Sequence, residues 1–179
     1  ADTLKHFQSA INKVTSILEK QRNTKRALRH PFILPLSAYA LSFMASNAPA
    51  DYSVDWTATC QLFAGLLSEN QVDCAEAILI LADSMVNGAE EARAAALSSG
   101  FLHKILTHIA RGDFQGDLAA QSFALLSAIC DKVPKGAELL RDIKGIRALA
   151  KTLTDLQEPS EQQAALKVAL VMLEGEKKE

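Results

Sequence analysis

Glycine, proline and aromatic residues are all scarce in this chain. Eight glycines and five prolines occur among 179 residues, and aromatic side chains make up 6% of them. This scarcity excludes a low-complexity fibre and argues against disorder. Strands favour β-branched and aromatic residues, whereas this chain is rich in alanine and leucine, which favour helices packed through small side chains. The composition therefore predicts a helical globular domain.

Segments that direct a protein to or through a membrane are also missing. No run of 18 apolar residues occurs, and the first residues do not form a charged and then apolar leader. We therefore expect neither a membrane span nor secretion. The three cysteines, Cys60, Cys74 and Cys130, are an odd number in helical contexts, and we expect them to be buried, reduced thiols. A reducing compartment follows, either the cytoplasm or the nucleus.

Strong net charge and catalytic motifs are absent too. A formal net charge of −2 argues against a protein that binds nucleic acid over its whole surface, because such proteins are strongly basic. There is no glycine-rich phosphate loop, no Gly-x-Ser-x-Gly motif and no Cys-x-x-Cys pair. His103 and His108 are five residues apart, which turns them about 140° from each other on a helix and excludes a helical zinc pair. The sequence thus predicts no enzyme, no cofactor and no metal.

The first 68 residues show helical periodicity with one clear interruption. Apolar residues at helical spacing predict a long N-terminal helix over 1–30. Pro31 and Pro35 then predict a loop, because neither is expected inside a helix. A degenerate first repeat is expected over 37–68, made of a helix from Ser37 to residue 46 and a second one that Ser53 caps.

From residue 70 onward the sequence repeats itself. Three segments share a small first residue and large apolar residues at equivalent places, 45 residues apart: Ala75–Leu81, Ala120–Leu126 and Ala165–Val171. Equivalent positions are occupied by Ile78, Phe123 and Val168, by Ile80, Leu125 and Leu170, and by Leu81, Leu126 and Val171. Three unrelated amphipathic helices are the alternative interpretation. We predict repeats over 70–111 and 117–156, with a further first helix over 160–174.

The segments between these helices also correspond, at an offset of 44. This offset pairs three apolar residues with three others: Leu102 with Ile146, Ile105 with Leu149 and Ile109 with Leu153. Each unit is therefore expected to contain a long buried helix, a short helix and a third helix after a tight break. A helix that is apolar around most of its circumference needs cover on several sides, and stacked neighbouring repeats provide it.

The unit resembles an armadillo or HEAT-like repeat, and Asp117–Leu153 is the best match to the armadillo pattern. The matching residues are Leu118, Ala119, Ala120, Gln121, Ala124, Leu125 and Ile129 in the first part and Gly145, Ile146, Leu149 and Leu153 in the last. The resemblance implies an all-α, right-handed solenoid of about three to four repeats over 1–175, with an incomplete last repeat and a frayed tail over 176–179. It also implies a non-enzymatic scaffold or adaptor that binds a partner protein on its concave groove.

In the resembled family the third helices line this groove. The periodicity of the helix over 101–111 turns Leu102, Ile105, Leu106 and Ile109 inward, and it leaves a polar side outward: Lys104, Thr107, His108 and Arg111. The next third helix is expected to place Arg147 and Lys151 beside them. Such a row of cations would bind an acidic or phosphorylated peptide through charge-assisted hydrogen bonds. The alternative is an ordinary solvated face.

A second basic feature lies near the end of the N-terminal helix. It consists of Lys20, Arg22, Lys25, Arg26 and Arg29. Cations near a helix C-terminus stabilise the helix by themselves, so a capping role needs no ligand. The alternative is a patch for an acidic protein or for RNA, although no aromatic residues are interleaved with the basic ones to stack on bases.

The last predicted helix, over 160–174, is apolar around most of its surface. Because the chain begins with Ala1 and its last repeat supplies only a first helix, we expect the natural protein to be longer. Continuation of the solenoid would cover the apolar surface. Self-association is the alternative, through Leu166, Leu170 and Leu173.

Overall fold

The computed structural model describes residues 2–68, 72–142 and 159–174, and the regular structure in these ranges is helical, without a strand. The predicted all-α class is confirmed. The helices are α1 Asp2–Asn23, α2 Ile33–Ser46, α3 Trp56–Ser68, α4 Ala75–Asn87, α5 Glu90–Ser98, α6 Phe101–Arg111, α7 Asp117–Lys132, α8 Gly136–Asp142 and α9 Pro159–Glu174. Two short 3-10 turns lie at Arg26–Leu28 and Val72–Cys74. None of the described helices is both long and apolar enough to cross a bilayer.

Helix α1 ends at Asn23, before the predicted end at residue 30. The Thr24 hydroxyl donates to the Lys20 carbonyl at 2.7 Å, and Arg29 Nε donates to the Thr24 carbonyl at 2.8 Å. The Lys20 carbonyl also accepts from the Thr24 backbone N–H at 3.0 Å, and Arg29 gives a partner to a carbonyl that lies beyond the last helical turn. The predicted helix is therefore wrong over its last residues, where hydrogen bonds from side chains replace further helical turns.

Helix α2 begins at Ile33, so the predicted start at Ser37 is wrong. Pro35 is the third residue of the helix, where a backbone N–H would have no partner within the helix in any case. The first turn is closed by the Leu36 N–H, which donates to the Phe32 carbonyl at 3.1 Å. A proline is tolerated here because it removes no helical hydrogen bond.

Asp55, and not Ser53, caps the N-terminus of α3. Its Oδ1 accepts a hydrogen bond from the Ala58 N–H at 2.9 Å, which is the geometry of an N-cap side chain. The predicted cap was two residues too early. Both residue types are good caps, so the choice between them depends on where the preceding segment, which contains Val54, turns into the helix.

Successive long helices lie against one another through the chain. Helix α2 contacts α1 and α4, α4 contacts α7, and α7 contacts α9. A second set contains α3, which contacts α5 and α6. Helix α5 links the two sets because it also contacts α4. The core lies between these helices and includes the fully buried side chains of Phe63, Ile78, Met85 and Phe101.

The predicted offset of 45 residues between the long helices agrees with burial at one set of positions and disagrees at another. Ile78, Phe123 and Val168 are all buried. However, Ile80 is half-buried, Leu125 is buried and Leu170 is 56% exposed, so the predicted equivalence of these three is wrong.

An offset of 44 describes α4 and α7 better. At this offset the six buried residues of α7 all fall on buried residues of α4. The pairs are Ala75 with Ala119, Ile78 with Ser122, Leu79 with Phe123, Leu81 with Leu125, Ala82 with Leu126, and Met85 with Ile129. In many helices of this chain two consecutive residues are both apolar. Offsets of 44 and 45 therefore match apolar residues almost equally well in the sequence, which does not distinguish between them.

Candidate functional site

Helix α6 is defined by a glycine at each end. Gly100 precedes it with φ of 71°, and Gly112 follows it with φ of 77°. Both conformations lie in the left-handed region, which glycine adopts without the strain that a Cβ brings. The predicted inward side is confirmed, because α6 buries five residues: Phe101, Leu102, Ile105, Leu106 and Ile109. Packing and end geometry together fix which side of α6 faces outward.

A cavity of about 490 Å³ opens between α6 and the end of α3. It is lined by Leu67, Ser68, Lys104, Thr107, His108, Arg111 and Asp113. All four groove residues predicted on this helix therefore line one cavity. Their neighbours, Ser68 from α3 and Asp113 after α6, are contributed by other segments and carry no signal of their own in the sequence.

Polar contacts order the walls of this cavity. Lys104 Nζ donates to Ser68 Oγ at 3.1 Å and so connects α6 to α3. His108 Nδ1 lies 2.8 Å from Asp113 Oδ2, and the Asp113 backbone N–H donates to the His108 carbonyl at 3.1 Å. The Thr107 hydroxyl donates to the His103 carbonyl at 2.9 Å, which leaves its oxygen able to accept. The cavity is thus lined by hydroxyl and cationic groups, and the Asp113 carboxylate in its lining is paired with His108.

Arg147 and Lys151 lie outside the described residues. Their alignment beside the cavity stays a prediction. The cavity as described therefore consists of α3, α6 and the segment that follows α6.

The predicted basic patch divides into two kinds of residue. Lys20, Lys25 and Arg26 are exposed, whereas Arg22 and Arg29 are half-buried. The Arg29 guanidinium donates to the Arg22 and Thr24 carbonyls at the end of α1, as expected for a capping role. The Arg22 side chain lies over α3, so that a Cβ on Gly65 would lie 2.9 Å from Arg22 Nη1. Two of the five cations thus take part in packing or capping.

An exposed apolar side on α2 was not recognised from the sequence. Phe32, Leu36, Tyr39 and Phe43 are all exposed, and we call these four residues the α2 stripe. Their spacing of four, three and four residues is the helical signature of a single face. The signal was therefore present, but a start at Ser37 left the first two residues outside the predicted helix.

The cysteine thiols are protonated at neutral pH. Burial raises the pKa of Cys60 to about 11, against the effect of a hydrogen bond with Ser99. Burial and then the charge of Asp73 raise the pKa of Cys74 to about 12, and Arg29 opposes them. Burial also raises the pKa of Cys130 to about 11. Because the thiolate is the nucleophilic form, these thiols are poorly suited to covalent chemistry.

The remaining predicted surface lies on α9. Leu166 and Leu170 are 57% and 56% exposed, and the Leu173 side chain lies outside the described part of the chain. Within the residues that the structure describes, no three histidine, cysteine or acidic side chains gather as a metal site would require.

Comparison with protein-family models, with curated proteins and with solved structures finds no match to this chain. The architecture and the cavity therefore have to carry any functional argument by themselves.

Proposed function

We propose that this chain is a right-handed solenoid of armadillo or HEAT-like repeats, and that it is a non-enzymatic scaffold for a partner protein. Its ligand would be an acidic or phosphorylated peptide held in the cavity between α3 and α6. The observation that carries the proposal is the convergence of Lys104, Thr107, His108 and Arg111 on that cavity, beside the Ser68 hydroxyl.

The order of the helices supports the repeat architecture. Helices α2, α4, α7 and α9 begin at residues 33, 75, 117 and 159, so successive starts are 42 residues apart. The buried positions of α4 and α7 correspond at an offset of 44, and both spacings lie in the range of HEAT and armadillo units, which is about 40 to 47 residues. Each of these helices contacts the next, as expected when every repeat buries its apolar side against its neighbour.

The chemistry of the cavity supports an anionic ligand. Lys104 and Arg111 are exposed cations on one side of α6, one turn apart from His108 and Thr107. Hydrogen bonds from such cations to carboxylate or phosphate are charge-assisted and therefore stronger than those between neutral groups. An apolar small molecule would find few partners, because among the described residues of the lining Leu67 is the one aliphatic side chain.

The packing of α6 supports rigid display of these groups. Five of its residues are buried, and its ends are set by Gly100 and Gly112. A receptor that is already ordered loses little conformational freedom on binding, so more of the interaction energy appears as affinity. The flexible lysine and arginine side chains are then the main groups that become ordered.

The proposal can be tested by titrating the 15N-labelled chain with a glutamate-rich peptide that contains phosphoserine. We expect amide shifts at Thr107, His108 and Arg111. The variant Lys104→Glu with Arg111→Glu should bind at least about tenfold more weakly, which corresponds to about 1.4 kcal/mol. Lys13→Glu is the matched control, because it reverses the charge of an exposed lysine on α1, outside the cavity. This variant should bind the peptide as the unaltered chain does.

Shifts located elsewhere, or equal binding by the double variant and the control, would contradict the cavity as the site. A single-stranded RNA probe in a parallel titration tests the RNA alternative. Because contacts between cations and phosphates release counterions, RNA binding through Lys20, Lys25 and Arg26 would weaken steeply with added salt. The Lys104→Glu change would leave its affinity unaltered.

A further inference from the structure

The α2 stripe is a continuous apolar surface on the outward side of a packed helix. Phe32 and Leu36 are each 66% exposed, Tyr39 is 47% exposed and Phe43 is 58% exposed. A helix turns about 100° per residue, so these four positions fall within an arc of about 60°. The opposite side of α2 is buried and includes Leu34, Ala38, Leu41 and Ala45. Single exposed apolar residues are ordinary on a protein, but a contiguous group of large ones marks an interaction site.

The neighbouring long helices do not share this property. The exposed residues of α4 are Glu76 and Asn87, and those at the two ends of α7 include Asp117 and Asp131. The stripe is therefore not a general feature of how long helices are packed in this chain. Helix α9 also exposes two leucines, Leu166 and Leu170, but α2 combines four exposed apolar residues with the absence of any charged residue along the helix.

Charge is distributed asymmetrically around the stripe. From Lys20 to Ala50 the chain contains five lysines and arginines and no acidic residue. Lys25 and Arg26 are exposed in the segment that leads into α2, and Leu28 between them and the stripe is 74% exposed. His30 adjoins the first stripe residue, with its ring centroid 6.1 Å from that of Phe32. Within this part of the chain the cations therefore all precede the stripe.

We propose that the α2 stripe, together with Lys25 and Arg26, is a docking surface for an amphipathic helix of another protein that carries acidic residues at one end. The stripe runs over 11 residue steps, or about 16 Å, which equals three helical turns. Ridges spaced four and three residues apart match the side-chain spacing of a partner helix, in the manner of helix-to-helix recognition. Acidic residues at the partner's end would face the acid-free cationic segment, which sets its direction. This surface is separate from the cavity between α3 and α6.

Other occupants agree less well with the same residues. An interfacial membrane helix carries cations along its polar flanks, whereas α2 is uncharged and contacts α1 and α4. RNA requires positive charge that follows the strand, which the three turns of the stripe lack. In a symmetric dimer through α2, each cationic end would meet the uncharged far half of the partner's stripe, so Lys25 and Arg26 would gain no opposite charge.

The test is a displayed library of 16-residue peptides, selected on the full 179-residue chain and counter-selected on the variant Leu36→Gln with Phe43→Gln. We expect enriched peptides to have apolar residues at helical spacing and an excess of Asp and Glu near one end. A synthetic peptide from that set should bind at least tenfold more weakly to this variant. It should also bind more weakly to Lys25→Glu with Arg26→Glu, and this effect should shrink with added salt.

Leu166→Gln is the matched control, because it replaces an equally exposed leucine on α9, and its binding should be unchanged. Circular dichroism and melting temperature of every variant should match the unaltered chain, since the replaced side chains are exposed. The proposal is overturned if no enriched peptide depends on the stripe, or if enriched peptides lack the acidic end. It is also overturned if the stripe-dependent ligand is a phosphatidylserine vesicle or a uridine 16-mer, or if sedimentation shows a dimer that Leu36→Gln with Phe43→Gln abolishes.

Discussion

Helices α2 and α6 bury their inner sides by the same rule and present opposite chemistry outward. On α2 the exposed positions are aromatic and aliphatic, whereas on α6 they include Lys104 and Arg111. The core constrains only the inward positions of a helix, through volume and apolarity. Outward positions are free of that constraint, so the two surfaces can differ, as the two proposals made for them require. Two distinct ligands are therefore expected for the two helices.

The two helices also differ in how their ends are fixed. Helix α6 lies between two glycines in left-handed conformations, Gly100 and Gly112. Helix α2 instead follows a 3-10 turn at Arg26–Leu28 and holds Pro35 in its first turn. We therefore expect the stability of α6 to depend more on the backbone conformation at its ends than the stability of α2 does.

The largest expected effect is on the free energy of unfolding, when a phenylalanine is replaced on each of the two helices. Phe101 of α6 is fully buried, and Phe43 of α2 is 58% exposed. Phe101→Ala should lower the free energy of unfolding by about 3 to 5 kcal/mol through lost burial and a cavity, and Phe43→Ala should change it by less than about 0.5 kcal/mol. Urea unfolding followed by circular dichroism measures both. A loss of more than about 2 kcal/mol in Phe43→Ala would mean that the stripe is covered within the chain.

Alkaline pH should have the next largest effect, because one buried thiol lies on α3, which contacts α6, and another lies in the 3-10 turn that contacts α2. The pKa of Cys60 is raised from 9.0 to about 11, so the folded state binds its proton more tightly than the unfolded state. The associated stability is fully present below pH 9 and is lost as the pH rises through about 11. By linkage, two pKa units correspond to a loss of roughly 3 kcal/mol, and Cys60→Ala should remove it from the stability curve between these pH values.

The Cys74 thiol gives the comparison for the α2 side. Its 3-10 turn contacts α2, and Arg29 opposes the rise of its pKa to about 12. Cys74→Ala should therefore remove a loss that extends to higher pH than that of Cys60. Identical curves of unfolding free energy against pH for the two variants would contradict the difference in pKa between the two thiols.

Much of the site could be predicted from the sequence because helical periodicity is a local property. The inward residues of α6 follow from spacing alone, and so do the four outward residues that line the cavity. Ser68 and Asp113 could not be predicted, because tertiary packing brings them from other segments. The end of α1 also escaped prediction, since it depends on the return of the Arg29 side chain to the Thr24 carbonyl.

The sequence predicts a repeat but leaves the register of that repeat open. Alanine is accepted at both buried and half-buried positions, so Ala119 and Ala120 fit the repeat almost equally well in sequence. Packing distinguishes them, because Ala119 is buried and Ala120 is only partly so. The sequence does not predict the α2 stripe for a related reason, because Pro35 indicates a break although α2 begins at Ile33.

A smaller effect is expected at Gly100, and it tests how far α6 depends on its backbone ends. No atom lies within 4 Å of a Cβ built there, so Gly100→Ala meets no clash and only the conformational cost at φ of 71°. We expect a loss of about 1 kcal/mol in the free energy of unfolding. Asparagine tolerates the left-handed region better, so Gly100→Asn should lose less. Equal losses would point to a cause other than the backbone angle.

The smallest effect should come from the hydrogen bond between Lys104 Nζ and Ser68 Oγ, which is exposed and 3.1 Å long. Exposed polar contacts contribute little, because water competes for both groups. A double-mutant cycle with Lys104→Met and Ser68→Ala should give a coupling below about 0.5 kcal/mol in urea unfolding. A small coupling would leave Lys104 available to a ligand, since binding would break almost nothing. A coupling above about 1 kcal/mol would instead mean that Lys104 stabilises the packing of α3 against α6. Lys104 would then have a structural role, unlike the α2 stripe, which is proposed to bind a ligand.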